Sequence, residues 1–177
     1  MNSIDCLSEN PVDTLCFGGG GVTGLSYIGC IDILEKEDWF DFNKIKTYVG
    51  TSIGTLLSFL YIIGYSNNDV KEFIIKFDLN KIEPTTNCLN LFNNFGLDNG
   101  EKILELGKTF LYEKFNVRDI TFIDLYNLTN KKFRIIVTNF TKSSIEIFDH
   151  NSQPNMSVLL AIRISMSLPF IFTPVFY

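Results

Sequence analysis

Two glycine-rich stretches and one serine carry the pattern in this chain that can do chemistry. Gly18 to Gly21 form an unbroken run. Glycines leave the main chain bare, so consecutive N–H groups beside a helix N-terminus can converge on an oxygen that gains negative charge. Downstream, Gly50-Thr51-Ser52-Ile53-Gly54 fits G-x-S-x-G. Between a strand and a helix, that pattern lifts a serine hydroxyl out of a sharp bend as a nucleophile, and the helix N-terminus favours the charge formed. A serine in this place can also simply cap a buried helix.

A serine nucleophile needs a base, and the single histidine, His150, stands beside Asp149. A serine, histidine and acid triad can be written from these residues. His150 follows a strand-like run, however, where a solvated turn residue is usual, and its spacing does not tie it to Ser52. The glycine run has rivals as well. Gly19 to Gly24 satisfies G-x-G-x-x-G, but dinucleotide binding wants an acidic residue at the end of the next strand, where this chain has Gly50-Thr51-Ser52. Gly107-Lys108-Thr109 resembles the close of a phosphate loop, yet Lys102 stands where that loop opens with glycine, and the segment reads as mid-helix. A tight turn without chemistry also uses glycine, although four in a row exceed that need.

These residues require particular elements to place them. Val12 to Phe17 is β-favouring and runs straight into the glycines, which predicts a first strand. Leu25, Ile28, Ile31 and Leu34 then predict a helix with one buried face. Lys44 to Val49 predicts a second strand, followed by an apolar helix through Ile63. A short helix is expected over Asp69 to Phe77, and a loop or lid over the Asn- and Thr-rich stretch Pro84 to Phe95. Asp98 with Glu101, and Thr121 with Asp124, have capping-box spacing ahead of two further helices. Phe133 to Phe140 and Ile145 to Phe148 predict a hairpin, Ser157 to Met166 a last helix, and Pro169 and Pro174 interrupt the apolar tail. Strands alternating with helices imply an α/β domain with a largely parallel sheet covered on both faces. One domain over residues 1–177 is expected, with about 1–11 as a polar N-terminal tail.

The bulk composition narrows the classes further. The chain has 177 residues, 46% of them hydrophobic, and a formal charge of −5. That balance offers no basic field to gather phosphate backbones, so no nucleic acid is expected as a partner. The four cysteines show no C-x-x-C spacing, and Cys16 and Cys30 lie among apolar residues that suit buried thiols. Neither a metal site nor a disulfide framework is indicated. The N-terminus lacks the basic and apolar segments of a secretory signal, and Ile53 to Ile63 is shorter than the ~18 residues of a membrane span. A cytoplasmic protein, or one peripheral to a membrane, is expected.

Taken together, Gly18 to Gly24 and Gly50 to Gly54 resemble the patatin-like phospholipase family, which pairs a glycine loop on the first strand with a G-x-S-x-G turn. Asp119 to Tyr126 leading into Phe133 to Asn139 is similar to that family's helix-then-strand segment. Ser165-Met166-Ser167-Leu168-Pro169-Phe170, with Phe172 and Pro174, resembles its S-x-S-x-P-x-x-F-x-P segment. The resemblance implies a three-layer α/β/α sandwich with a mostly parallel central sheet. It implies a phospholipase A-type carboxylic ester hydrolase using a Ser–Asp dyad without histidine, with Ser52 as nucleophile and Gly19, Gly20 and Gly21 as oxyanion donors. No metal or organic cofactor is required, and the partner is a lipid or phospholipid substrate, met in solution or at a membrane surface. Two departures stand out. Thr23 occupies the place where the family usually has Arg or Lys, and no aspartate here is followed by glycine, whereas the family's dyad aspartate sits in D-G-G or D-G-A. The expectation is therefore a domain incomplete at its C-terminus, active on condition of such an aspartate beyond Tyr177. The alternative is a patatin-like lipid- or protein-binding module without the dyad.

Overall fold

The structure is a computed structural model and describes residues 12–37, 41–76 and 88–177. The expected tail over residues 1–11 lies outside the described residues. In chain order the elements are β1 (Thr14–Phe17), α1 (Ser26–Lys36), β2 (Thr47–Gly50), α2 (Ile53–Ile62), α3 (Asn67–Lys76), α4 (Cys88–Asn94) and β3 (Gly96–Asp98). They continue with α5 (Glu101–Phe115), α6 (Phe122–Thr129), β4 (Lys132–Asn139), β5 (Ser144–Phe148), α7 (Val158–Ser165) and β6 (Phe170–Phe172). A 3-10 turn over Gly21–Leu25 joins the glycine run to α1.

The main sheet has the order β1-β2-β4-β5. Its first three strands are parallel, and β5 returns antiparallel from β4 as the expected hairpin. The architecture is of the α/β/α sandwich class, built on a mostly parallel central sheet. Alternation along the strands decides what is buried. Leu15, Phe17, Tyr48, Phe133, Ile135 and Phe148 share one face through the pairings Leu15 with Tyr48 and Phe133, and Phe17 with Gly50, Ile135 and Phe148. Against this face lies α2, buried from Gly54 to Ile62, because its residues are apolar all round and only an interior position hides every side. Helix α7 packs on β4 beside it, and α5 packs on α7. On the opposite face of the hairpin Ile145 and Ile147 are exposed. Among the described residues no helix is long and apolar enough to cross a membrane.

Several local expectations need correction. The stretch read as a loop or lid lies outside the described residues at 84–87, while Cys88–Asn94 is helical, closed by the Phe95 N–H on the Leu91 carbonyl at 3.0 Å. Asparagine content weighs against a helix without forbidding one when the segment docks on a strand, here β3. Asp98 does not cap α5. It belongs to β3, and its Oδ1 takes the Gly100 N–H at 2.6 Å, a turn that shares the spacing of a capping box. Thr121 does cap α6, accepting from the Asp124 N–H at 3.2 Å. The strands β3 and β6 pair in parallel as a second small sheet that the proline-flanked tail did not announce. Cys16 and Cys30, expected as buried thiols, are both exposed. Strand alternation turns Cys16 away from Leu15 and Phe17, and Cys30 sits off the Ile28 and Ile31 face of α1.

One buried charge fastens the C-terminal third. Arg163, on α7, is 1% exposed. Its Nε and Nη2 donate to the Asn99 carbonyl at 3.0 and 2.9 Å, Nη2 also to the Thr173 carbonyl at 3.0 Å, and Nη1 to the Ser167 hydroxyl. Burial presses the guanidinium toward losing its proton, and the buried Asp98 carboxylate opposes that shift. A buried guanidinium is tolerated because main-chain oxygens just past the ends of β3 and β6 replace water. Arg163→Met is expected to lower the unfolding free energy by about 3 kcal/mol, read from the urea midpoint. A loss below about 1 kcal/mol would mean that the guanidinium adds little beyond its volume.

Candidate active site

The two glycine turns meet. Phe17 pairs with Gly50, so β1 and β2 end at the same level and both turns leave the carboxyl edge of the sheet, the usual place for a site in such folds. The Thr51 N–H donates to the Phe17 carbonyl at 3.1 Å. A β-carbon on Gly54 would strike the Phe17 carbonyl oxygen and lie 2.8 Å from that of Gly18. One on Gly24 would strike Ile53 Cγ2, and one on Gly19 would stand 3.4 Å from Ser52 Cβ. Bare backbone in both motifs is what lets the loop and the serine turn touch.

Ser52 has φ 54 and ψ −126, a backbone state that L side chains rarely adopt and that costs roughly 1–3 kcal/mol. Hydrogen bonds on both sides hold it there. The Ser52 carbonyl accepts from the Thr55 N–H at 2.8 Å and the Thr55 hydroxyl at 2.6 Å, while the Ser52 N–H donates to Ser165 Oγ at 2.9 Å. Ser165 in turn donates to the Ile136 carbonyl at 2.8 Å. Although Ser52 occupies the N-cap position of α2, its side chain makes no capping bond. Its Oγ therefore remains uncommitted among the described residues, unlike that of a serine whose task is to cap.

The glycine loop is tied at its ends. The Gly18 N–H donates to the Tyr27 hydroxyl at 3.1 Å, and the Gly20 carbonyl takes both the Thr23 N–H at 3.1 Å and the Thr23 hydroxyl at 2.8 Å. Thr23, standing where the family usually has a cation, thus closes the loop. Between these ties the N–H groups of Gly19 and Gly20 have no hydrogen-bond partner among the described residues. Gly21 heads the 3-10 turn with φ 53.

Ser52 borders a groove of about 640 Å³ lined chiefly by apolar side chains, among them Ile136, Leu168, Phe170, Phe172 and Val175. Neither a carboxylate nor an imidazole lines it among the described residues. His150 goes elsewhere. It follows β5, which runs antiparallel to β4 and past Ile135, and so heads for the end of the sheet opposite the serine turn. Its ring stacks on Tyr126 with centroids 4.2 Å apart, and its Nδ1 is buried without a partner. Asp149 is likewise occupied. Burial works to raise its carboxyl, but N–H groups of Ser152 and Asn151, the Ser152 hydroxyl and His150 outweigh that and hold it below the usual carboxylate range. With both N–H bonds at 2.9 Å and Arg134 at 3.5 Å, it is a turn-forming carboxylate. A triad of Ser52, His150 and Asp149 is not assembled. Among the described residues no cluster of three or more His, Cys, Asp or Glu side chains could hold a metal ion.

The fold and the meeting of the two turns define an α/β/α protein with a candidate site at the carboxyl end of the parallel strands of a mostly parallel sheet. The chain belongs to the patatin-like phospholipase family, whose model matches residues 15–177. It is similar to a probable lipid hydrolase of Invertebrate iridescent virus 6, 31% identical over 169 residues, covering 93% of this chain and 56% of the relative. It is also similar to an uncharacterized protein of Acanthamoeba polyphaga mimivirus, 27% identical, covering 97% of this chain and 57% of the relative. The chain thus spans a little over half the length of these two relatives. Triacylglycerol lipase 3 of Saccharomyces cerevisiae is 27% identical, with 91% of this chain and 27% of the relative covered. Among solved structures, ExoU of Pseudomonas aeruginosa, in complex with SpcU, superposes with a TM-score of 0.70 at 20% identity, covering 90% of this chain and 39% of ExoU. VipD from Legionella pneumophila gives 0.64 at 18% identity, covering 92% of this chain and 43% of VipD. These two likenesses are of fold.

Sequence reasoning singled out the serine turn and the glycine loop, and the structure brings them together. It gave Ser165 no task beyond its place in a family-like segment, since a contact between residues 113 apart leaves no local signal. The backbone state of Ser52 generates a stability expectation. Ser52→Gly and Ser52→Ala both lose the hydroxyl, but only glycine relieves the strain, so Ser52→Gly is expected to be the more stable by about 1 kcal/mol in urea unfolding. Equal midpoints would show that the turn is not strained at this residue.

Proposed function

We propose that this chain carries the nucleophile of a lipid acyl hydrolase, a phospholipase A-type carboxylic ester hydrolase. Ser52 Oγ attacks the ester carbonyl, its proton passes to a base, and N–H groups of Gly19, Gly20 and Gly21 hold the oxyanion. The alcohol leaves, and water then releases the fatty acid from the acyl-serine. The observation that carries the reading is an uncommitted hydroxyl on a strained turn, in contact with a loop of unpartnered amides and at the head of an apolar groove. Each oxyanion donor of this kind is typically worth about 3 kcal/mol in the transition state. The apolar groove suits an acyl chain, and exposed Phe95 in its lining, with exposed Phe92 on the helix just before it, suits a lipid surface.

The base is the remaining requirement. On this reading it is an aspartate in a D-G-G or D-G-A context, by likeness to the family, and full activity depends on its presence. A second reading is favoured by the lack of a carboxylate in the groove lining among the described residues: a module that binds lipid, or a protein partner, without turnover. A fluorophosphonate probe is expected to label the wild type and spare Ser52→Ala; equal labelling of the two would count against the serine reading. On short-chain nitrophenyl esters, a C-terminal extension carrying the D-G motif is expected to raise the rate by about 10²–10⁴. Labelling without turnover, with or without the extension, would favour the binding module.

A further inference from the structure

Ser165 stands at the C-terminal end of α7, in the wall of the groove, and its hydroxyl contacts the serine turn directly. Its two partners fix the direction of both hydrogen bonds. An N–H can only donate and a carbonyl can only accept, so Ser165 Oγ receives the Ser52 N–H and gives its one proton to the Ile136 carbonyl. The hydroxyl therefore joins three separate elements: the turn after β2, the middle of β4 and the last turn of α7. With its proton engaged, it is poorly placed to compete with Ser52 as a nucleophile or to protonate it.

We propose that Ser165 is a positioning residue for the nucleophile, holding the Ser52 N–H against α7 so that the turn keeps its strained geometry and that amide stays out of the oxyanion site. The inference rests on the reading of Ser52 as nucleophile. Its physical content is a division of labour among amides. Two sets of amides lie close to the serine: its own N–H, satisfied by Ser165, and those of Gly19 and Gly20, which have no hydrogen-bond partner among the described residues. Were the Ser52 amide released, the peptide between Thr51 and Ser52 could rotate toward ordinary φ values, and the hydroxyl would swing away from Gly19. Ser167, two residues on, makes a useful contrast. Its hydroxyl accepts from Arg163 and donates to the Arg163 carbonyl at 2.9 Å, and so serves the fold without reaching the turn.

The test uses the full chain with Ser165→Ala, Ser165→Thr, Ser165→Cys and Ser167→Ala. Three quantities are read: the rate constant for fluorophosphonate labelling of Ser52, kcat and KM on a short-chain nitrophenyl ester, and amide hydrogen exchange at Ser52. Ser165→Ala is expected to slow labelling and kcat about tenfold, the worth of one ordinary hydrogen bond, with KM within about twofold and faster Ser52 exchange. Ser165→Thr, which keeps a hydroxyl, is expected to restore labelling to within about threefold of wild type. Ser165→Cys, whose sulfur is a weak acceptor, is expected to fall between the two and stands in for alanine if that variant does not fold. Ser167→Ala, in the groove wall but with its hydroxyl bonded to Arg163, is expected to melt earlier yet keep the wild-type labelling rate, with any change in turnover confined to KM. Wild-type labelling in Ser165→Ala or Ser165→Cys overturns the proposal and leaves the nucleophile reading standing. A loss that threonine does not repair, or an equal loss in Ser167→Ala, overturns it as a packing effect. A wild type that is not labelled at Ser52 overturns both together.

Discussion

The pairing of Phe17 with Gly50 is the constraint from which the rest of the site follows. Because two parallel strands end level, the loop leaving the first and the turn leaving the second have to share the same edge. The helix after the second strand must then rise beside the loop, and a side chain on Gly54 would collide with the Phe17 carbonyl. Glycine is thus placed by geometry at several points in the two motifs. The closeness of a bare glycine backbone to the serine turn comes with the same packing.

The interior around this edge is organised to hold it rigid. Helix α2 is apolar on all sides because it is enclosed, so the turn at its N-terminus is anchored by a segment that gains nothing by shifting toward water. On the far wall, Arg163 fastens α7 to the carbonyls of Asn99 and Thr173, and thereby fixes the helix end that carries Ser165. Strain at one residue is affordable when the elements before and after it are held in packed surroundings.

Much of this was legible before any coordinates. Periodicity located the strands feeding both turns, the buried helix after Ser52 and the hairpin, because each is decided by local apolar spacing. The resemblance carried by Gly18 to Gly24, Gly50 to Gly54 and the Ser165 to Pro174 segment pointed to the family that the comparisons establish. What escaped was decided at long range. The pairing of β3 with β6 turned an apparent capping aspartate into a strand residue, and helix α4 formed where composition suggested a loop. Exposure of Cys16 depends on which side of β1 the helices cover, a matter no single strand records. The bond from Ser52 to Ser165 and the burial of Arg163 belong to the same class.

The sequence distance of 113 between Ser52 and Ser165 has a kinetic meaning. A polypeptide whose parallel strands and key side-chain bond join segments so far apart must close large loops before those contacts repay their entropy, which slows folding. The bent geometry at Ser52 is complete only after α7 has docked. On a ribosome the serine turn emerges 113 residues ahead of Ser165, so it stays relaxed through that interval and acquires its tense form only afterwards.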